Sequence, residues 1–196
     1  MQNDLNALVG SRICHDLISP IGAIGNGVEL LTMSGHGASP EMALISQAVE
    51  NANARIRFFR IAYGAASPGA LVGEAEIHSI LKVMHQSSRI DVQWRAEGDI
   101  PRDEVKLAFL LLQCLESALP VGGHIFAARG PSGWQIEARG DKFKTDDALW
   151  KRLNASETDS SVAASDVHFA LAPEAAKLAG RAVAVYIGDD RITLSF

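Results

Sequence analysis

Two long stretches of helical apolar spacing, separated by one Gly- and Pro-bearing break, constrain this chain more than any other feature. Residues 3–34 place Leu5, Leu8, Ile13, Leu17, Ile21, Ile24, Val28 and Leu31 at helical intervals. Residues 34–40, SGHGASP, interrupt the pattern, and residues 41–64 resume it with Ile45, Val49, Ala52, Ile56, Phe59 and Tyr63. Ser39 suits an N-cap and Pro40 the first helical position, because proline lacks the N–H that would go unpaired there. The spacing predicts an antiparallel helical hairpin over residues 1–66. Such a hairpin cannot cover both of its apolar faces alone. A second copy would complete a four-helix bundle, so a homodimer is expected.

Beyond the hairpin the pattern changes. Residues 65–76, AASPGALVGEAE, are rich in small residues, Pro and Gly, and residues 67–75 read as a linker. Helical spacing follows over 75–88, strand alternation over 90–96, and a strong helix over 102–119. Two strands, 123–129 and 133–139, flank a Gly-Pro-Ser turn. A helix near 145–154, a polar loop through 164 and a helix near 166–179 come next, and strands near 181–187 and 191–196 flank a GDD turn. Helices segregated from a mostly antiparallel sheet define an α+β chain, with a second domain over 76–196.

Composition narrows the partners. A net charge of −5 with no basic stripe argues against nucleic acid and anionic lipid. Cys14 and Cys114 sit in unrelated segments, which speaks against both a zinc site and a disulfide scaffold and for a reduced, cytoplasmic protein. No 18-residue apolar run and no signal-peptide pattern occur, so neither a membrane span nor secretion is expected. Trp94, Trp134 and Trp150 read as packing residues, and His36, His78, His85, His124 and His168 as loop or surface residues without a role. Asp146 and Asp147 suit the first turn of a helix, where the dipole favours acids.

One histidine stands apart. At about 100° per residue, Ser11, Arg12, Ser19, Gly22 and Asn26 fall within roughly 60° of His15, joined by one apolar residue, Leu8. Ile13, Leu17, Ile24, Val28 and Leu31 lie on the far side. The first helix thus carries an apolar seam opposite a small, polar stripe with His15 in it. A histidine that accepts a phosphoryl group from an aspartyl phosphate needs this setting: exposure, a free ring nitrogen and room for a close partner. Ser11, Ser19 and Gly22 leave that room, Arg12 suits a passing phosphoryl charge, and Asp16 suits the other ring nitrogen. Pro20, inside the helix, is expected to kink or loosen it below the site. A Cys14–His15 catalytic pair is disfavoured, since neighbouring helical residues point about 100° apart. His15-Asp16 lacks the further His and Asp ligands of a metal-dependent phosphohydrolase.

The segment RICHDLISPIGAIGNGVELL, residues 12–31, resembles the phospho-acceptor box of sensor histidine kinases, in which His is followed by an acid and then by Pro. The whole chain is similar to the alphaproteobacterial histidine phosphotransferases of the ChpT type: acceptor helix, second helix, then a domain similar to the kinases' ATP-binding domain. The resemblance implies a phosphorelay protein with His15 as acceptor and Asp16 as its acidic neighbour. It implies phosphate arriving from the receiver domain of a hybrid sensor kinase and leaving to downstream response regulators, any Mg²⁺ being held by the partner receiver. Ser19 stands where related kinases often carry Thr or Asn.

The second domain departs from the kinases. Gln113 and Ser117 replace the Mg²⁺-holding asparagines, Pro120 replaces a usual basic residue, and only Glu116 remains. EARGDKFK, 137–144, lacks the adenine loop, and SDVHFALAPEAA, 165–176, lacks any lid glycine. No ATP or other cofactor is therefore expected, and the domain is read as a docking surface for receivers. Two alternatives remain: a dimeric scaffold or phosphatase partner with a non-phosphorylated histidine, and an active sensor kinase with an unusual nucleotide site.

Overall fold

The structure is a computed structural model that describes residues 2–36, 39–67, 69–154 and 162–196. Parts of the expected 34–40 break, the linker and the polar loop before residue 164 lie outside the described residues. The chain divides into two compact units. The first comprises Met1–Ala65 with Ser79–Met84, and the second Ala66–His78 with His85–Phe196.

The first unit is built on the hairpin. Helix α1 spans Gln2–Leu31 and ends in a wide π-type turn, Thr32–His36. Thr32 Oγ1 donates to the Val28 carbonyl at 2.9 Å and Ser34 Oγ to that of Leu31 at 3.0 Å, satisfying groups the helix end leaves open. Helix α2 spans Pro40–Ala62, and the extended Ser39 accepts from the Met42 N–H at 3.2 Å, as a capping serine does. The helix runs unbroken through Pro20.

The flank of α1 that meets α2 is not the apolar seam. A methyl group added at Gly10 would lie 3.3 Å from the Tyr63 carbonyl oxygen, and one added at Gly25 would lie 3.3 Å from Val49 Cγ1. These glycines let the helices approach closely. Cys14, about 100° round from His15, is buried on that flank. Within the seam only Val28 is buried, whereas Ile13, Leu17, Ile24 and Leu31 keep between 46% and 54% of their surface exposed. Small residues win the intrachain contact because backbones can close over them, and the bulky stripe is left open.

Part of the expected linker is structured. Strand β1, Leu71–Val72, pairs antiparallel with β3, Ile100–Pro101, and helix α3, Glu74–His85, begins inside residues 67–75. Two-residue strands are too short to show an alternation, which is why the sequence reads as a bare connection. Residues 79–84 of α3 cluster with the hairpin, beyond the boundary expected at 76.

The second unit is a five-stranded sheet with helices on one face. Strand β2 is Ile90–Trp94, β4 Gly123–Gly130, β5 Gly133–Arg139, β6 Ala184–Ile187 and β7 Arg191–Ser195, ordered β2-β4-β5-β7-β6. Only β2 and β4 run parallel, and helix α4, Arg102–Ala118, makes the crossover between them. Gly133 closes the β4–β5 hairpin at φ +118, where an added Cβ would strike the Phe196 carbonyl. Ile125, Ala127, Ile136, Ala138, Ile192 and Leu194 are fully buried on the inner sheet face, and α4 is buried nearly all round. Helix α6, Val167–Leu178, packs on α4. Each fully buried Leu or Phe of this core stabilises the fold by about 1.5–3 kcal/mol. Helix α5, Asp147–Arg152, is capped by Asp146, which accepts from the N–H groups of Ala148 and Leu149.

One carboxylate sits in that core. Glu104 is 7% exposed and accepts from Trp134 Nε1 at 2.8 Å, Arg129 Nε at 3.0 Å and Arg181 Nη2 at 3.1 Å. Burial pushes its pKa up, but the Trp134 hydrogen bond, the Arg129 charge and the arginine hydrogen bonds outweigh it, leaving the group below its ordinary value. A single ionised side chain thereby ties α4, the β4–β5 hairpin and the segment entering β6.

Candidate active site on the first helix

His15 projects from the middle of α1 with 83% of its side chain exposed. Its Nδ1 lies 3.3 Å from Asp16 Oδ1. A carboxylate can only accept, so it selects the Nδ1–H tautomer and leaves the Nε2 lone pair facing solvent. The hydrogen bond from His15, followed by that from Arg12, holds the Asp16 carboxyl below its ordinary pKa and keeps it ionised. Arg12 Nε donates to Asp16 Oδ2 at 2.8 Å. Arg12 is therefore engaged with the acid rather than extended toward an incoming group.

The remaining stripe residues divide. Ser19 and Asn26 are exposed, and a methyl group added at Gly22 would meet nothing within 4 Å, so this side of the helix is open. Ser11 is different. Its half-buried Oγ accepts from the Ala65 N–H at 3.0 Å, tying α1 to the end of the hairpin instead of facing a docking partner. Its angular position near His15 was legible, but the turn at Gly64 that reaches it was not. Cys14 is buried, and burial pushes its thiol pKa up against a smaller downward pull from Arg60, which suits packing and not nucleophilic chemistry.

In the second unit, Glu116 is tied up: His85 Nε2 lies 2.7 Å from its Oε1. Ser117 Oγ donates to the Cys114 carbonyl at 2.7 Å, and the Lys144 N–H donates to the Ala118 carbonyl at 3.0 Å, lacing the stretch after β5 to the end of α4. His85 and His168 are not surface residues. The His85 side chain is only 10% exposed, and His168 is buried with Nε2 lacking a hydrogen-bond partner. Burial lowers the His168 pKa, against upward pulls from Asp166 and Glu116. The signal was present: His85 continues the i, i+4 row of Ile77 and Leu81, and His168 opens the row of Ala172 and Ala176. Among the described residues no cluster of three or more His, Cys, Asp or Glu can hold a metal, and no helix is long and apolar enough to cross a membrane.

The chain thus joins a helical hairpin that presents an exposed His–Asp pair to a five-stranded α+β unit. The chain belongs to the histidine phosphotransferase family: residues 74–191 match the model of the histidine phosphotransferase C-terminal domain. It is also similar to the protein phosphotransferase ChpT of Brucella abortus (strain 2308), 40% identical over 124 residues, or 62% of this chain. That match spans 59% of the relative's length, less than two thirds of it. A bacterial phosphotransferase of solved structure superposes with a TM-score of 0.70 at 29% identity, over 98% of this chain and 95% of that one. The family match begins at residue 74 and does not reach His15.

Proposed function

We propose that the protein is a histidine phosphotransferase of a multi-step phosphorelay, working in the cytoplasm and carrying a phosphoryl group on His15 between receiver-domain aspartates. The observation that carries this reading is the exposed imidazole whose Nδ1 faces Asp16 while Nε2 is open. Nε2 attacks the phosphorus of a receiver's aspartyl phosphate, and the aspartate leaves as a carboxylate. Asp16 stabilises the positive charge that develops on the ring. Transfer to the next receiver is the reverse step. The partners are the receiver of a hybrid sensor kinase and downstream response regulators, and any Mg²⁺ belongs to the receiver.

Two further parts belong to the same reading. The open seam of Ile13, Leu17, Ile24 and Leu31 would be covered by a second copy of the hairpin, giving a homodimeric four-helix bundle. The second domain works without ATP. The pairing of Glu116 with His85, and the bond between Lys144 and Ala118, support a loss of nucleotide chemistry and leave receiver docking as that domain's task.

The test is phosphoryl transfer from a panel of phosphorylated receiver domains, comparing wild type with His15→Gln. Acid-labile, base-stable label on the wild type and none on the variant is expected. Equal labelling of both, or none from a complete panel, would overturn the reading in favour of a scaffold with an inert histidine.

A further inference from the structure

We infer that Arg12 is a positioning residue for phosphoryl transfer: it acts through Asp16, dividing that carboxylate's two oxygens so that one always faces His15. The inference rests on the phosphotransferase reading and adds a residue whose expected task, meeting the phosphoryl group, the geometry does not show.

The distances carry the argument. Arg12 Nε donates to Asp16 Oδ2 at 2.8 Å, the length of a charge-assisted hydrogen bond. Asp16 Oδ1 lies 3.3 Å from His15 Nδ1, a longer and weaker contact. An exposed aspartate on a helix is otherwise free to rotate away from a ring one residue before it, since adjacent helical residues do not face each other. With Oδ2 held one turn back by the guanidinium, Oδ1 stays turned toward the imidazole. The ion pair itself has little structural reason to exist. Arg12 and Asp16 are 76% and 51% exposed, and such pairs add little to stability. A basic residue N-terminal to its acid is also the less favourable order on a helix.

Two consequences follow for the reaction. The Nδ1–H tautomer is held, so the Nε2 lone pair is available to form the N–P bond. The P–O bond to the receiver aspartate breaks, and its electron pair leaves on that carboxylate. The ring keeps its Nδ1 proton, hydrogen-bonded to Asp16, and becomes a phosphohistidinium. The guanidinium also neutralises Asp16, which would otherwise repel the approaching phosphoryl oxygens.

Arg12→Met keeps the aliphatic stem and removes the donor. Transfer should fall about tenfold in kcat with KM nearly unchanged, and the melting temperature should hold. Nitrogen-15 NMR of the His15 ring should show the Nδ1–H form losing population. Arg12→Lys, which retains a charged donor, should recover part of the rate. Asp16→Asn and the double variant Arg12→Met/Asp16→Asn should transfer equally slowly, because Arg12 then has nothing to hold. A rise in KM alone would make Arg12 a docking residue. Additive losses in the double variant, or an unchanged tautomer, would overturn the inference. Failure of the wild type to accept label would instead strike the phosphotransferase reading, which the ring spectrum does not depend on.

Discussion

The two units of this chain solve the problem of burial in opposite ways. The second closes on itself: α4 runs as a helix of buried Leu, Phe, Ala and Cys between the sheet and α6, and its one internal acid, Glu104, is satisfied by three donors. The hairpin stays unfinished. Its helices meet through Gly10, Cys14 and Gly25, while the large apolar residues of α1 face outward and His15 faces outward on another side. On the proposed function, the difference teaches that the incomplete unit is the working one. A group that must meet one protein after another cannot be enclosed, whereas a core that only holds shape can.

The sharpest way to break this contrast is at His15. His15→Gln should abolish transfer altogether while the circular dichroism spectrum and melting temperature hold, because an exposed side chain carries no packing. Retained transfer would move the acceptor elsewhere. Next in size is a matched pair of leucines. Leu111→Ala, fully buried in α4, should destabilise the protein by about 2–5 kcal/mol in urea denaturation. Leu17→Ala, 46% exposed on α1, should cost less than about 1 kcal/mol at low protein concentration. Equal costs would mean that the seam is already covered within one chain.

The seam can also be probed by charge. Ile24→Glu should leave the second unit's near-ultraviolet spectrum unchanged and shift the mass in light scattering from two chains to one. A single-chain mass for the wild type at tens of micromolar would remove the dimer.

The smallest effect is the acid response of the closed unit. Glu104 has a depressed folded pKa, so it binds its proton more readily in the unfolded chain. Its contribution is fully present above the unfolded value near 4.3 and is lost as pH falls through the lower folded value. Glu104→Gln should flatten that part of the stability profile and lower stability at neutral pH by about 2 kcal/mol. That is less than the roughly 3–5 kcal/mol of breaking a fully buried ion pair, because Arg129 and Arg181 can turn to water. An unchanged acid slope would mean that other carboxylates govern it.

Much of this was legible in the chain. The α helices, the Ser39 cap and the strands of the main sheet follow from apolar period and turn residues, since these record local geometry. The polar stripe around His15 follows from the same periodicity. What escaped has an identifiable cause in each case. Strands β1 and β3 are two residues each, too short for alternation. His85 and His168 read as surface residues in the sequence because the polarity of imidazole outweighs their place in apolar rows. Ser11 shares the angular sector of His15, yet a residue 54 positions away claims its hydroxyl.

By itself, then, the sequence determined which segments are helix or strand, where the hairpin turns and which histidine stands among small polar neighbours. These depend on residues within a few turns of one another. Only the tertiary structure decided which flank of α1 meets α2, and that Glu104 gathers Trp134, Arg129 and Arg181 from distant segments. It likewise decided that Arg12 donates to Asp16. Periodicity places a residue on a face. It does not say what that face meets, because close approach depends on the size of side chains on both partners, and a long side chain chooses among several acceptors within its reach.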